Sequence, residues 1–238
     1  MSIIGKQTAF VTLGSSCQPT RQLGLHAQLI SEMLGDELVH DRYPLDWVIS
    51  PIAKTTEWLR SGKYFPVSPD ELTPVPGHDK AFLWCERGVY FWHDFWDSGG
   101  DITSTFWHVQ ARYERGFAKL RDVRNLNRVV IVVANTQNNL PLVLGPAYPD
   151  LGFDFTAANL SDLQYAAEGF LGRQCEMLCV TYADRSSAEL QSMPEQGIVV
   201  ARIPHDDSDW EGDTAVWQQV LLDYCKTAPP TLARHRSD

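Results

Sequence analysis

Three near-continuous apolar runs constrain this chain more than any other feature: RVVIVVA at 128 to 134, EMLCVTYA at 176 to 183 and GIVVARI at 197 to 203. A strand with one face in water alternates apolar with polar residues, whereas a strand apolar throughout is covered on both faces, as in parallel sheets. A fourth run, Thr8 to Leu13, leads into Gly14-Ser15-Ser16-Cys17-Gln18-Pro19 and then into Leu23, Ala27, Ile30 and Leu34 at helical spacing. That order reads as strand, tight turn and helix, with Pro19 suited to the first helical turn and Gly35 to its end. Further helices are predicted over Phe106 to Leu120, Ala157 to Leu171, Ser186 to Met193 and Thr214 to Tyr224. Strands alternating with helices predict an α/β fold: a three-layer α/β/α architecture around a mainly parallel, doubly wound sheet.

The interval from about 44 to 100 breaks this rhythm with six prolines, one helix near Ile52 to Ser61, and two aromatic strands, Ala81 to Cys85 and Val89 to Trp92, joined at Glu86-Arg87-Gly88. It reads as an aromatic insertion crowning the sheet, since long irregular segments inside a domain are usually functional. The 238 residues, 44% of them hydrophobic, suffice for one large core, so residues 1–228 are expected to form one α/β domain and 229–238 a disordered tail. A formal charge of -10 disfavours nucleic acid as partner. No run of about 18 apolar residues and no signal-like N-terminus occur, so no membrane association and a cytoplasmic location are expected. Five cysteines without paired CxxC motifs or zinc-type spacing predict neither a disulfide framework nor a bound metal, and no cofactor fingerprint is present.

The loop between a parallel strand and its following helix is where ligands bind, because helix N-termini present unpaired N–H groups there. Cys17 falls in that loop. The helix dipole favours its thiolate, neighbouring N–H groups can form an oxyanion hole, and Gly14 permits the sharp turn. A small core cysteine is the competing reading. A thiolate gains from a base, and His93, within FWHDFW beside Asp94, is the first candidate. The second cluster is His205-Asp206-Asp207-Ser208-Asp209-Trp210, where His205 with Asp206 or Asp209 can serve Cys17 or Ser16 from a loop opening on the same sheet edge. Gln18 and Asn135 are candidate amide donors. Asp46, in RYPLDW, is expected to hold the Cys17 loop by accepting its N–H groups. Trp47, Trp92, Trp96 and Trp210 are candidate pocket walls.

Three segments together, LGSSCQPTRQLG at 13 to 24, RYPLDWVISP at 42 to 51 and FWHDFW at 91 to 96, resemble a bacterial family described as papain-like cysteine peptidases, a domain of otherwise unknown function. WEGDTAVW at 210 to 217 is similar to that family's late tryptophan segment, and Leu45 departs from the usual aromatic before Asp-Trp. The resemblance implies Cys17 as nucleophile, His93 as base and Asp94 as its orienting partner. A papain-like enzyme joins a helical lobe to an antiparallel β lobe, whereas the alternation here is closer to SGNH-type esterases, whose serine takes the place of Cys17.

The expected function is a cysteine-dependent hydrolase or acyltransferase acting on a small-molecule or peptide substrate. The alternatives are a non-catalytic module gripping a sugar, peptide or nucleotide in an aromatic pocket, and an SGNH-like esterase variant. The oligomeric state is not legible.

Overall fold

The computed structural model describes residues 6–39, 41–96, 101–140, 152–206 and 209–227. The predicted tail at 229–238, with His40, Asp207 and Ser208, lies outside them. Strand β1 (Gln7–Thr12) leads into α1 (Gln18–Leu34) and a short edge strand, β2 (Glu37–Val39). After an intervening region come β7 (Arg128–Ala134), α4 (Ala157–Leu171), β8 (Glu176–Tyr182), β9 (Ile198–Ile203) and α5 (Thr214–Thr227). These five strands form one parallel sheet in the order β2-β1-β7-β8-β9. The doubly wound parallel sheet expected from the apolar runs is therefore present.

Alternate residues along each strand serve two cores. Ala9, Val11, Ile131, Val133, Met177 and Cys179 pack on one face. Phe10, Val130, Val132, Leu178 and Val180 pack on the other, beneath Leu23 and Ile30 of α1 and Trp217 and Leu221 of α5. That two-sided burial is why the runs carry almost no polar residue.

The intervening region supplies β3 (Val48–Ile49), α2 (Ile52–Ser61), β4 (Leu72–Val75), β5 (His78–Trp84), β6 (Val89–Phe91) and α3 (Thr103–Asp122). Its strands form an antiparallel sheet in the order β3-β6-β5-β4. The expected β5–β6 hairpin is its centre, with Gly88 at φ 61 in the turn. Trp58 of α2 is fully buried against Trp84, Phe91, Tyr113 and Phe117, so this sheet and α3 enclose an aromatic core.

One predicted helix is absent. Residues 186–193 form turns, because their backbone groups are taken elsewhere: Ser187 N–H donates to Phe155 O at 2.9 Å and Met193 N–H to Ile198 O at 2.8 Å. Backbone groups satisfied by neighbouring strands are not available for a helical ladder. Among the described residues no helix is long and apolar enough to cross a membrane.

Candidate functional site

The strand order reverses between β1 and β7, which places a topological switch point at their carboxyl ends. Two loops meet there, residues 13–17 after β1 and 135–137 after β7. The first is shaped by consecutive left-handed residues, Gly14 at φ 65 and Ser15 at φ 63. A serine in that region is uncommon and carries local strain. The turn is pinned by Ser15 N–H donating to Ser50 O at 3.0 Å and Leu13 N–H to Val132 O at 3.2 Å.

Cys17 is the N-cap of α1, as the strand-turn-helix reading requires. It is only 2% exposed, and its thiol donates to Gln137 Oε1 across 3.6 Å. Burial pushes the thiol pKa up to about 11, against a smaller opposing effect of backbone hydrogen bonding. At pH 8 the thiolate fraction is then on the order of one in a thousand. Iodoacetamide is therefore expected to alkylate exposed Cys85 well before Cys17 at pH 8, read by peptide mass spectrometry. Preferential labelling of Cys17 would contradict the sealed geometry.

The other predicted members are dispersed. Ser16 is buried, with its hydroxyl 3.4 Å from Ala134 O. Gln18 donates its amide to Trp210 O at 2.9 Å and accepts from the Thr136 hydroxyl, so its donors serve the loop ahead of α5. Asn135 donates to Phe153 O and Arg185 O at 2.8 and 2.6 Å, a correction to its reading as a donor awaiting an oxyanion. Asp94 does not orient His93: its carboxylate is taken by Arg112 and by the Tyr113 hydroxyl at 2.9 Å. Burial raises the Asp94 pKa, and Arg112 opposes that shift. His205 stacks on Tyr182 at 4.4 Å and has Nδ1 3.2 Å from an Asp184 oxygen, at the ends of β8 and β9. Asp206 accepts the Tyr182 hydroxyl on its carbonyl, and Asp209 accepts the Trp210 N–H. Among the described residues the Cys17 side chain bonds to neither histidine.

Asp46 holds the site together in a way different from that expected. It accepts the Tyr43 N–H at 2.7 Å and the Thr12 hydroxyl, rather than N–H groups of the Cys17 loop. Thr12 gives its single hydrogen to Asp46, so Thr20 donates to Thr12 at 2.7 Å. The relay ties the end of β1, the first turn of α1 and the 41–47 turn. Burial raises the Asp46 pKa to about 6, against the lowering effect of these hydrogen bonds and of Arg42.

Next to this relay lies an open cleft of about 680 Å³, lined by Thr20, Arg21 and Leu25 of α1, by Arg42 and Trp47, and by His93. Thr20 and Arg21 follow Cys17 by one helical turn, while Cys17 itself does not line the cleft and its thiol turns to Gln137. His93 packs edge-on to Trp47 at 5.5 Å. Burial, then the Arg42 charge, lowers its pKa below the usual imidazole value, so it is neutral at pH 7. Arg21 faces Glu211 at 3.4 Å and Asp41 is paired with Lys119. Arg42 differs: its guanidinium lies 5.8 Å from the Trp47 ring centre and, among the described residues, forms no direct ion pair, acting on the buried Asp46 and Asp94 only at longer range. The sequence flagged RYPLDW as a pocket wall without singling out Arg42, Thr12 or Thr20. Their roles depend on residues distant in the chain, and the only local signal was a charge beside a tryptophan turn.

Among the described residues no cluster of His, Cys, Asp and Glu is arranged to hold a metal. Comparison with family models, curated proteins and solved structures gives no match for this chain.

Proposed function

We propose that this chain binds a small organic anion, a carboxylate or phosphate ester, in the cleft between α1, the 41–47 turn and His93. The observation that carries the reading is the Arg42 guanidinium over Trp47, which forms no direct ion pair among the described residues, in a concave site where Arg21 and Asp41 are paired and the buried Asp46 contributes the remaining acid. Arginine over an aromatic face, with its fork free, suits planar anions, and Trp47 and Leu25 offer apolar surface beside it. His93 is a neutral donor or acceptor within the same wall.

The test uses inorganic phosphate and acetate as probes, following the His93 ring proton by NMR across pH. The bound anion raises the His93 pKa by cancelling the Arg42 charge. Arg42→Gln raises it without ligand and abolishes the anion response, with tryptophan fluorescence reporting the same loss. A His93 titration indifferent to both anions and to Arg42→Gln sinks the reading.

Thiol chemistry is the second reading, favoured by the strained Gly14-Ser15 turn ahead of Cys17 at a helix N-terminus, one turn before the cleft residues Thr20 and Arg21. It accords with the resemblance to papain-like peptidases and requires Gln137 to move away and free the sulfur for acyl transfer. Turnover of an identified ester or amide substrate that survives Cys17→Ala removes it.

A further inference from the structure

A second pocket, about 260 Å³, lies beyond His93 on the antiparallel sheet and is lined by His78, Lys80, Ala81, Trp92 and Trp96. It adjoins the first cleft through a ring contact, His93 lining one and Trp96 the other. The His93 ring, edge-on to Trp47, is 5.6 Å from the Trp96 ring on its other side. Lys80 Nζ lies 4.8 Å from the Trp96 ring centre and, among the described residues, has no acid partner. Arg42, Trp47, His93, Trp96 and Lys80 thus form an unbroken ladder of cation, indole, imidazole, indole and cation joining the two pockets.

The outer pocket is built as well as open. Trp96 is 50% exposed, yet its indole is fixed by Nε1–H donating to Trp92 O at 2.8 Å. The Trp92 ring is braced by His78 at 4.6 Å. Preorganised rings lose little freedom on binding a ligand.

Resting on the cleft reading above, we propose that the ligand is an acidic oligosaccharide. One anionic unit sits at Arg42 and Trp47, and further units cross Trp96 toward Lys80. Successive rings of the ladder meet at 90° and 38°, so their faces turn from one to the next. Pyranose rings rotate about each glycosidic bond and present C–H faces at changing angles, which suits rings that turn in this way. Carboxylates on those units match two cations, Arg42 and Lys80, that form no direct ion pair among the described residues. The attraction is local, because the chain as a whole carries a charge of -10.

Calorimetry with galacturonic acid and its dimer, trimer and tetramer tests this in the full chain. Affinity is expected to rise about tenfold between monomer and trimer, as stacking and one added charge contact suggest. Lys80→Gln removes that gain and leaves monomer binding intact, Trp96→Ala also removes it, and Arg42→Gln weakens every length. Lys80 is exposed, so its variant keeps the fold, checked by circular dichroism. Affinity independent of length, a gain that survives both outer-pocket variants, or equal binding of neutral maltotetraose overturns the proposal. So does preference for an acidic peptide or an oligonucleotide of matched charge. If no uronate binds while phosphate still moves the His93 titration, the oligosaccharide inference falls and the cleft reading stands. If neither binds, both fall.

Discussion

Gly14→Ala is expected to destabilise the protein by about 2–4 kcal/mol in denaturant melts, the sum of left-handed backbone strain and a buried overlap. The backbone at Gly14 has φ +65, and a Cβ there would lie 2.6 Å from Thr55 Oγ1 in α2. Thr55 is fully buried, so neither side can retreat into solvent. The two components separate experimentally. Thr55→Ala, costing little because Thr55 Oγ1 already has no hydrogen-bond partner among the described residues, removes the overlap and leaves the strain. The double variant should recover about half of the loss. A Gly14→Ala protein as stable as its parent would show that the turn before Cys17 is not left-handed.

Asp46 gives the second large effect, and its sign is unusual for a carboxylate. Burial raises its folded pKa to about 6, above the ordinary 3.8, so the folded chain holds the proton more tightly than the unfolded one. Its contribution is fully present below about pH 4 and is lost as pH rises through about 6, a swing of about 3 kcal/mol. Asp46→Asn cannot titrate, so the wild type should lose stability relative to it across that window, measured by urea melts between pH 4 and 7. A parallel pH dependence in the two proteins would place the Asp46 titration in its ordinary range. The variant also weakens one acceptor contact, with Tyr43 N–H or the Thr12 hydroxyl, which lowers its stability at every pH.

The parallel sheet was readable because burial on both faces leaves its mark residue by residue: Arg128–Ala134 coincides with a strand, and Ala157–Leu171 with a helix opened by a Thr156/Asn159 capping box. Short elements left no such mark. Glu37–Val39 is a partly exposed edge strand, and Val48–Ile49 is too brief to show a period, so the insertion read as a hairpin became a four-stranded sheet. The site was legible as an address. Cys17 stands at the strand-to-helix turn that its flanking pattern indicated. Its burial and its bond to Gln137 depend on how β1 and β7 meet, a partnership spanning 120 residues that no local spacing encodes. For Asp94 the misreading came from adjacency: neighbours in an irregular turn point apart, and its carboxylate faces Arg112 and Tyr113 of α3 instead.

A single hydrophobic cluster runs from Ala9 and Val11 of the parallel sheet through Trp58, Trp84 and Phe91 to Met177 and Ile198. Although the antiparallel strands arise from one contiguous stretch of chain, one of their faces belongs to this shared cluster, and the other packs only a small one completed by Leu140 and Phe153. The stretch cannot be excised, transplanted or permuted as a cassette, since its removal would open the body it covers. Substitution through residues 72–96 is thereby freest at outward-facing positions such as Lys80 and Trp96. Variation there can proceed only as fast as the shared interior tolerates it.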